Sequence, residues 1–394
     1  MTIAASPTFG AAEKRALMAV AAQFWINGMV FASFVPRLPE VRDRIGVDLA
    51  TIGALLAVAA AGGLVGSAIT GPAIERLGTR RVMIGGALPI VFALPLIGFA
   101  TAPAVFVGGL IVLQVFDVSV DVAMNIQGSE LAKRLGRPIM NRLHGVWSVG
   151  TVVGSVAATQ AARLGVPLTT HLLVVSAVLL TTVAFVGPRL LTSDPAPDSA
   201  HTGSPVRSRR ARLGNPALWR FGVIAGAAMM LELITSDWAA FRLKDDFGLA
   251  DGPAGYGFVA FMVGMVIGRL GGDHVLERLG PKRLFTTAVV VSGLGLAIAT
   301  LVPTTWDAGP TIAVAGYLVA GLGVSVIFPR LYDEAAQSPA GPTVMGALTA
   351  GQRITLLIAP LVVGSLAGTS LAVGTALAIV LVPSGLLLLA LGRR

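Results

Sequence analysis

No cysteine occurs in the sequence, which excludes disulfide staples and thiolate metal sites. Charge is nearly as scarce: Asp, Glu, Lys and Arg make up 12% of the residues, about half the share of a soluble domain. Four scattered histidines without an HExxH pattern give a metal centre no support. A glycine-rich loop ending in Lys-Ser or Lys-Thr is also missing, which removes direct use of ATP. No nucleophile–base constellation is visible, so an intramembrane enzyme is a poor reading. A non-transporting receptor would normally bring a larger soluble domain.

What fills the sequence instead is apolar residues, 55% of the chain. Runs of about twenty recur along its whole length, each enough to cross about 30 Å of hydrocarbon as a helix. The expected fold class is an all-α polytopic membrane protein. A net charge of +9 fits lysines and arginines held on the cytoplasmic side against anionic lipid headgroups, so nucleic acid is not needed to explain it.

Twelve spans fit. In the first half they lie at about 16–36, 50–70, 82–100, 104–129, 140–162 and 168–187. In the second half they lie at about 217–240, 254–272, 283–302, 309–330, 341–366 and 370–391. Residues 188–216 are rich in Pro, Ser and Arg and read as a cytoplasmic linker between domains 1–187 and 217–394. Alternating the sides collects Arg76, Arg80, Arg81, Lys133, Arg134, the linker arginines Arg207, Arg209, Arg210 and Arg212, Arg278, Arg393 and Arg394 on one face. The other face keeps few, Arg37, Arg42 and Arg242 among them. Both termini are therefore expected in the cytoplasm, with the chain in the inner membrane.

One stretch stands out. Gln114, Asp117, Asp121 and Asn125 are spaced three, four and four, forming one polar stripe on the fourth helix. Each Asp near the bilayer centre costs roughly 2.5–3.5 kcal/mol to insert, and such residues mark ion or substrate paths. Two charges about 6 Å apart repel by about 2.8 kcal/mol at an effective dielectric near 20. The two carboxylates are thus expected not to be charged together, as a proton carrier requires. His144, at the start of the fifth span and at the depth of Asp121, could exchange protons with it; a structural helix-end histidine is the alternative. Gln23 and Asn27 in the first span, Glu232 in the seventh and Arg353 in the eleventh would complete a polar cavity. Trp25 beside Asn27 could stack on a sugar-like ring. Arg353, about twelve residues into its span, is too deep to snorkel and needs a carboxylate or an anionic ligand. The plain alternative for the stripe is a structural seam hydrogen-bonded to neighbouring helices.

Glu75-Arg76-Leu77-Gly78-x-Arg80-Arg81 returns as Glu277-Arg278-Leu279-Gly280-x-Lys282-Arg283, offset by 202 residues. Six spans separate the copies, so both turns lie on one membrane face and the halves are parallel repeats. Twelve spans, a central linker and this turn after spans two and eight resemble the major facilitator superfamily. The resemblance covers nearly the whole chain, with Glu75 standing where the family usually has Asp. It implies two pseudo-symmetric six-helix bundles, alternating access, a small-molecule substrate, a proton gradient with no bound cofactor, and a monomer. It also implies a gating role for Gly71, Glu75, Arg76, Gly78, Arg80 and Arg81, and for Asp273 and Arg278 in the second copy.

A narrower resemblance rests on Asp121-Val122-Ala123-Met124-Asn125, His144-Gly145-x-Trp147-Ser148-x-Gly150, Asp237-Trp238 and Gly268-Arg269-Leu270-x-Gly272-Asp273. These are similar to the branch that includes the rhizopine-catabolism protein MosC, and they imply a sugar- or inositol-like solute, with Arg269 among the gating residues. A drug or metabolite exporter is the alternative within transport, though it would suit a more apolar cavity. At the outer side, Arg37 ends the first span and Asp237 lies near the end of the seventh, so Arg37 is expected to pair with Asp237 or Glu232 when the protein faces inward.

Overall fold

A computed structural model describes residues 11–137, 139–192, 216–338 and 340–392. Most of the predicted linker, with Arg207, Arg209, Arg210 and Arg212, and the terminal Arg393 and Arg394 lie outside the described residues. The described residues are mostly helical, and no strand occurs among them. The first half holds α1 (Ala11–Ala32), α2 (Leu38–Ile45), α3 (Leu49–Leu77), α4 (Thr79–Phe99), α5 (Pro103–Leu135), α6 (Met140–Arg163) and α7 (Leu168–Val186). The second holds α8 (Pro216–Phe241), α9 (Tyr256–Leu279), α10 (Pro281–Leu301), α11 (Gly309–Val324), α12 (Ile327–Gln337), α13 (Gly341–Ala367) and α14 (Val373–Gly392).

Among the described residues, eleven segments are long and apolar enough to cross a membrane. The remaining one of the twelve expected spans, the fifth, is α6, long enough but more polar, carrying Asn141, Arg142, His144, Ser148, Thr151, Ser155, Thr159 and Gln160. It is sheltered by protein: Ser155 and Thr159 are fully buried. On the opposite account, Phe92, Phe99, Phe185, Leu294 and Leu386 are exposed, as helix faces covered by lipid tails must be.

The repeat is visible in the backbone. Helix α3 ends at Leu77 and α9 at Leu279, and the next helices run Thr79–Phe99 and Pro281–Leu301, each bound offset by the same 202 residues. Between them Gly78 (φ 82°, ψ 156°) and Gly280 (φ 71°, ψ 166°) adopt one conformation, in a region essentially closed to residues with a Cβ. The packing repeats too. Within the first half α1 packs on α6, α5 on α3 and α4, and α7 on α4; within the second, α8 packs on α13, α11 on α9 and α10, and α14 on α10. The halves meet along two seams, α3 with α13 and α6 with α9.

Three local expectations change. The predicted turn from Gly71 to Arg81 is mostly helix: Gly71 and Pro72 lie inside α3, and only Gly78 leaves helical dihedrals. The stretch after Arg37, expected as a loop, forms α2, which stops at Gly46 (φ 69°) before the Asp48 carboxylate caps α3 by accepting from Thr51 N at 2.7 Å. The tenth span is broken into α11 and α12. Pro329 cannot donate to the Ser325 carbonyl and its ring crowds that oxygen, so the chain leaves the helix at Ser325 and Val326.

Candidate functional site

The polar stripe of α5 faces α1 and α3. Asp117 is half-buried and its Oδ1 accepts a hydrogen bond from Asn27 Nδ2 at 2.8 Å. Asn27 Oδ1 in turn accepts from the Trp147 indole, Nε1, at 2.9 Å. Three helices are thereby joined at one carboxylate. The reason they come so close is small residues: a Cβ on Gly28 would collide with the Trp147 carbonyl, and one on Gly150 with that of Trp25. Asp121, one turn further, is exposed, and Asn125 turns back on it, Nδ2 donating to the Asp121 carbonyl at 2.8 Å and to Oδ1 at 3.2 Å. Gln114 leans on α3, its Cβ 3.3 Å from where a Cβ on Gly62 would sit. Gln23 is buried one turn before Asn27. Trp25 is half-buried and packs against the apolar core.

From the second half, two guanidiniums reach across the seams. Arg353 of α13 donates from Nη2 to Ser67 Oγ of α3 at 3.0 Å. Gly63 makes room for it: a Cβ there would lie 3.2 Å from Nη1 and 3.9 Å from a Val118 methyl. Arg269 of α9 donates from Nη1 to Ser148 Oγ of α6 at 3.4 Å and lies 4.0 Å from the Glu232 carboxylate of α8. Ser67 and Arg269 are themselves 202 apart in sequence, equivalent places in the two halves. Of the two partners expected for Arg353, a carboxylate or an anionic ligand, no carboxylate lies on it among the described residues, where it meets the Ser67 hydroxyl, and Glu232 lies beside Arg269. His144 is exposed and stacks edge-on against Phe24, with ring centres 5.3 Å apart. No hydrogen bond joins it to Asp121 among the described residues.

The expected outer pair is not formed. Arg37 is buried, its Nε donating to Glu40 at 2.7 Å and Nη2 to the Val166 carbonyl at 2.9 Å, while Asp237 accepts from Ser236 at 3.4 Å. The halves are latched two turns further out. Arg42 of α2 holds Asp245 through Nη1 at 2.5 Å and Nη2 at 2.9 Å, and Lys244 holds Asp43 and Asp251. Gln160 donates to the Tyr256 hydroxyl at 2.8 Å along the same end. These latch residues were overlooked as a gate. The signal was there in two mixed-charge stretches, Arg42-Asp43-Arg44 and Lys244-Asp245-Asp246, that end corresponding helices.

At the opposite end the gating set lies apart. Gly71, Glu75, Arg76, Arg81 and Arg278 are exposed. Arg80 Nε donates to the Gly187 carbonyl at 3.0 Å, within its own half. The side chain of Asp273 lies outside the described residues. Among those residues no hydrogen bond or ion pair joins the halves beyond Arg353–Ser67 and Arg269–Ser148 toward the basic turns. Among the described residues, the ion pairs that tie the halves together lie at the Arg42–Asp245 end.

Two pseudo-symmetric six-helix repeats packed around charged and amide side chains define a polytopic membrane transporter. The chain belongs to the Major Facilitator Superfamily, whose profile matches residues 20–360. Among its relatives is an uncharacterised transporter, y4wD, of Sinorhizobium fredii, 30% identical over 342 residues, covering 84% of this chain and 88% of that one. The membrane protein MosC of Rhizobium meliloti is 30% identical over 329 residues, covering 82% and 76%. Solved structures share the fold: the nucleoside transporter NupG superposes with a TM-score of 0.75 at 14% identity, covering 97% and 98%. A bacterial homologue of the lysosomal transporter Spinster, in an inward-facing and occupied conformation, gives 0.71 at 13% identity, covering 98% and 96%.

Proposed function

We propose that this chain moves a small polar, sugar- or inositol-like solute across the inner membrane, driven by protons, with Asp117 and Asp121 as the proton-coupling pair. Residues 1–187 and 217–394 act as the two rocking units, the termini and basic turns are cytoplasmic, and the state described above faces inward. The observation that carries this proposal is the situation of Asp117: a half-buried carboxylate on a membrane-spanning helix, hydrogen-bonded to a neutral amide at 2.8 Å and to no cation among the described residues. Such a group can take up and release a proton without breaking an ion pair, which suits a carrier better than a strut. Amides and hydroxyls around it favour a polyhydroxy solute over a greasy one.

Reconstituted in liposomes, the protein should accumulate such a solute in response to a pH gradient. Asp117→Asn and Asp121→Asn should each abolish that accumulation while equal-gradient exchange persists. If both variants still concentrated solute against its gradient, the stripe would be a structural seam.

A further inference from the structure

Trp147 is left over by everything above. Its indole nitrogen is a donor and nothing else, so the only part of the Asn27 amide it can face at 2.9 Å is the oxygen. The orientation of that amide follows from chemistry and needs no choice between similar atoms. With its oxygen committed to Trp147, Asn27 has only N–H to present to Asp117, and it does so at 2.8 Å. Asp117 Oδ1 must therefore accept. A proton placed on Oδ1 would point at the amide N–H.

We infer that Trp147 is a positioning residue for proton coupling: through Asn27 it reserves Asp117 Oδ1 as an acceptor, so that the carried proton is loaded and released at Oδ2 alone. This rests on the role proposed for Asp117. The charged surroundings are few. Asp121 is one turn away on α5 itself. Helices α1, α3 and α4 carry their ionisable side chains only in the turns at one end. Helix α6 brings His144, and from the other half come Arg353, beside Val118, and the Arg269–Glu232 pair beyond Ser148. None of these contacts the Asn27 amide, so apart from Asp117 itself the indole sets which way it faces. Ser148, the next residue after Trp147, is also where Arg269 of the second half rests. The state of Asp117 is thus wired to the helix that forms one of the two seams.

The amide as now held favours the carboxylate, because an N–H bond to a charged acceptor stabilises the charged form. Without the indole N–H the amide is free to turn over and accept from a protonated Asp117. In Trp147→Phe the half-point of the pH profile for gradient-driven uptake should move upward by about one unit, the size expected for one hydrogen bond to a charged group. Asn27→Leu should also shift that profile, and Trp147→Phe should add nothing in the Asn27→Leu background. If loss of ring packing left Trp147→Phe unfolded, benzothienylalanine at position 147 keeps the shape and replaces only the N–H.

A second readout follows Asp117 without any solute. It is the infrared carboxyl band that disappears in Asp117→Asn, titrated in purified protein. The band should move with Trp147→Phe or with benzothienylalanine. An unmoved band and an unmoved uptake profile would reduce the indole to packing and overturn the inference. Uptake that survives Asp117→Asn beside a band that still shifts would instead overturn the coupling role and leave the wiring standing.

Discussion

At the scale of single residues, the strongest commitments outside the path are buried charges that bridge segments far apart in sequence. Arg242 and Asp246 are both nearly fully buried, joined at 2.5 Å, and each also serves a helix end. Arg242 donates to the Val302 carbonyl at 2.8 Å, just past α10, and Asp246 accepts from the Val373 and Gly374 amides at 2.9 and 2.7 Å, where α14 begins. Removing one partner of such a pair leaves a buried charge unpaired and costs about 3–5 kcal/mol. Arg242→Ala should therefore lower the unfolding temperature in detergent far more than truncating an exposed arginine such as Arg278. An equal effect for the two would mean that the pair contributes nothing beyond surface charge. Gln127 does similar work at the other end, bonding Thr79 Oγ1 and the Leu191 backbone at 3.1 Å.

At the scale of elements, the repeated turns make the halves comparable. Gly78 and Gly280 hold matching dihedrals that end one helix and begin the next with no residue to spare. An alanine forced into that region costs about 1–3 kcal/mol. Gly78→Ala and Gly280→Ala should each lower thermal stability, by similar amounts, whereas Gly71→Ala should not: Gly71 is helical and a Cβ there meets nothing within 4 Å. The check is thermal unfolding of the three variants side by side. A drop for Gly71→Ala equal to the others would return the turn to where the sequence pattern alone suggests it. The α11–α12 break belongs to the same scale, since one proline decides it.

For the whole molecule, the proposed balance between two facing states rests on a few exposed or half-exposed ion pairs at one end. Arg42–Asp245 and Lys244–Asp43 hold the halves together there, while the basic-turn end has no counterpart among the described residues. A partly exposed pair is worth about 1 kcal/mol at most, and such an energy shifts a two-state population about fivefold. Asp245→Arg should move the distribution toward the state open at the Arg42 end, measured as spin-label distances between the halves. Arg42→Asp combined with it should move the distribution back. High salt should weaken the effect in the unmodified protein. If the double reversal failed to restore the distances, the pairs would be incidental to gating.

Membrane class, helix count, parallel repeat and the stripe on α5 were all present in the sequence, because hydrophobic run length and helical periodicity are local properties of a chain. Which polar groups meet was not. Asn27, Asp117 and Trp147 lie 90 and 30 residues apart in sequence, and they converge only because Gly28 and Gly150 let α1 and α6 touch backbone to backbone. Arg37 shows the same limit: the sequence offers it Asp237 or Glu232, and the fold of α2 brings it Glu40, three residues on, instead. Periodicity says which face of a helix is polar; only the crossing of helices says what that face touches.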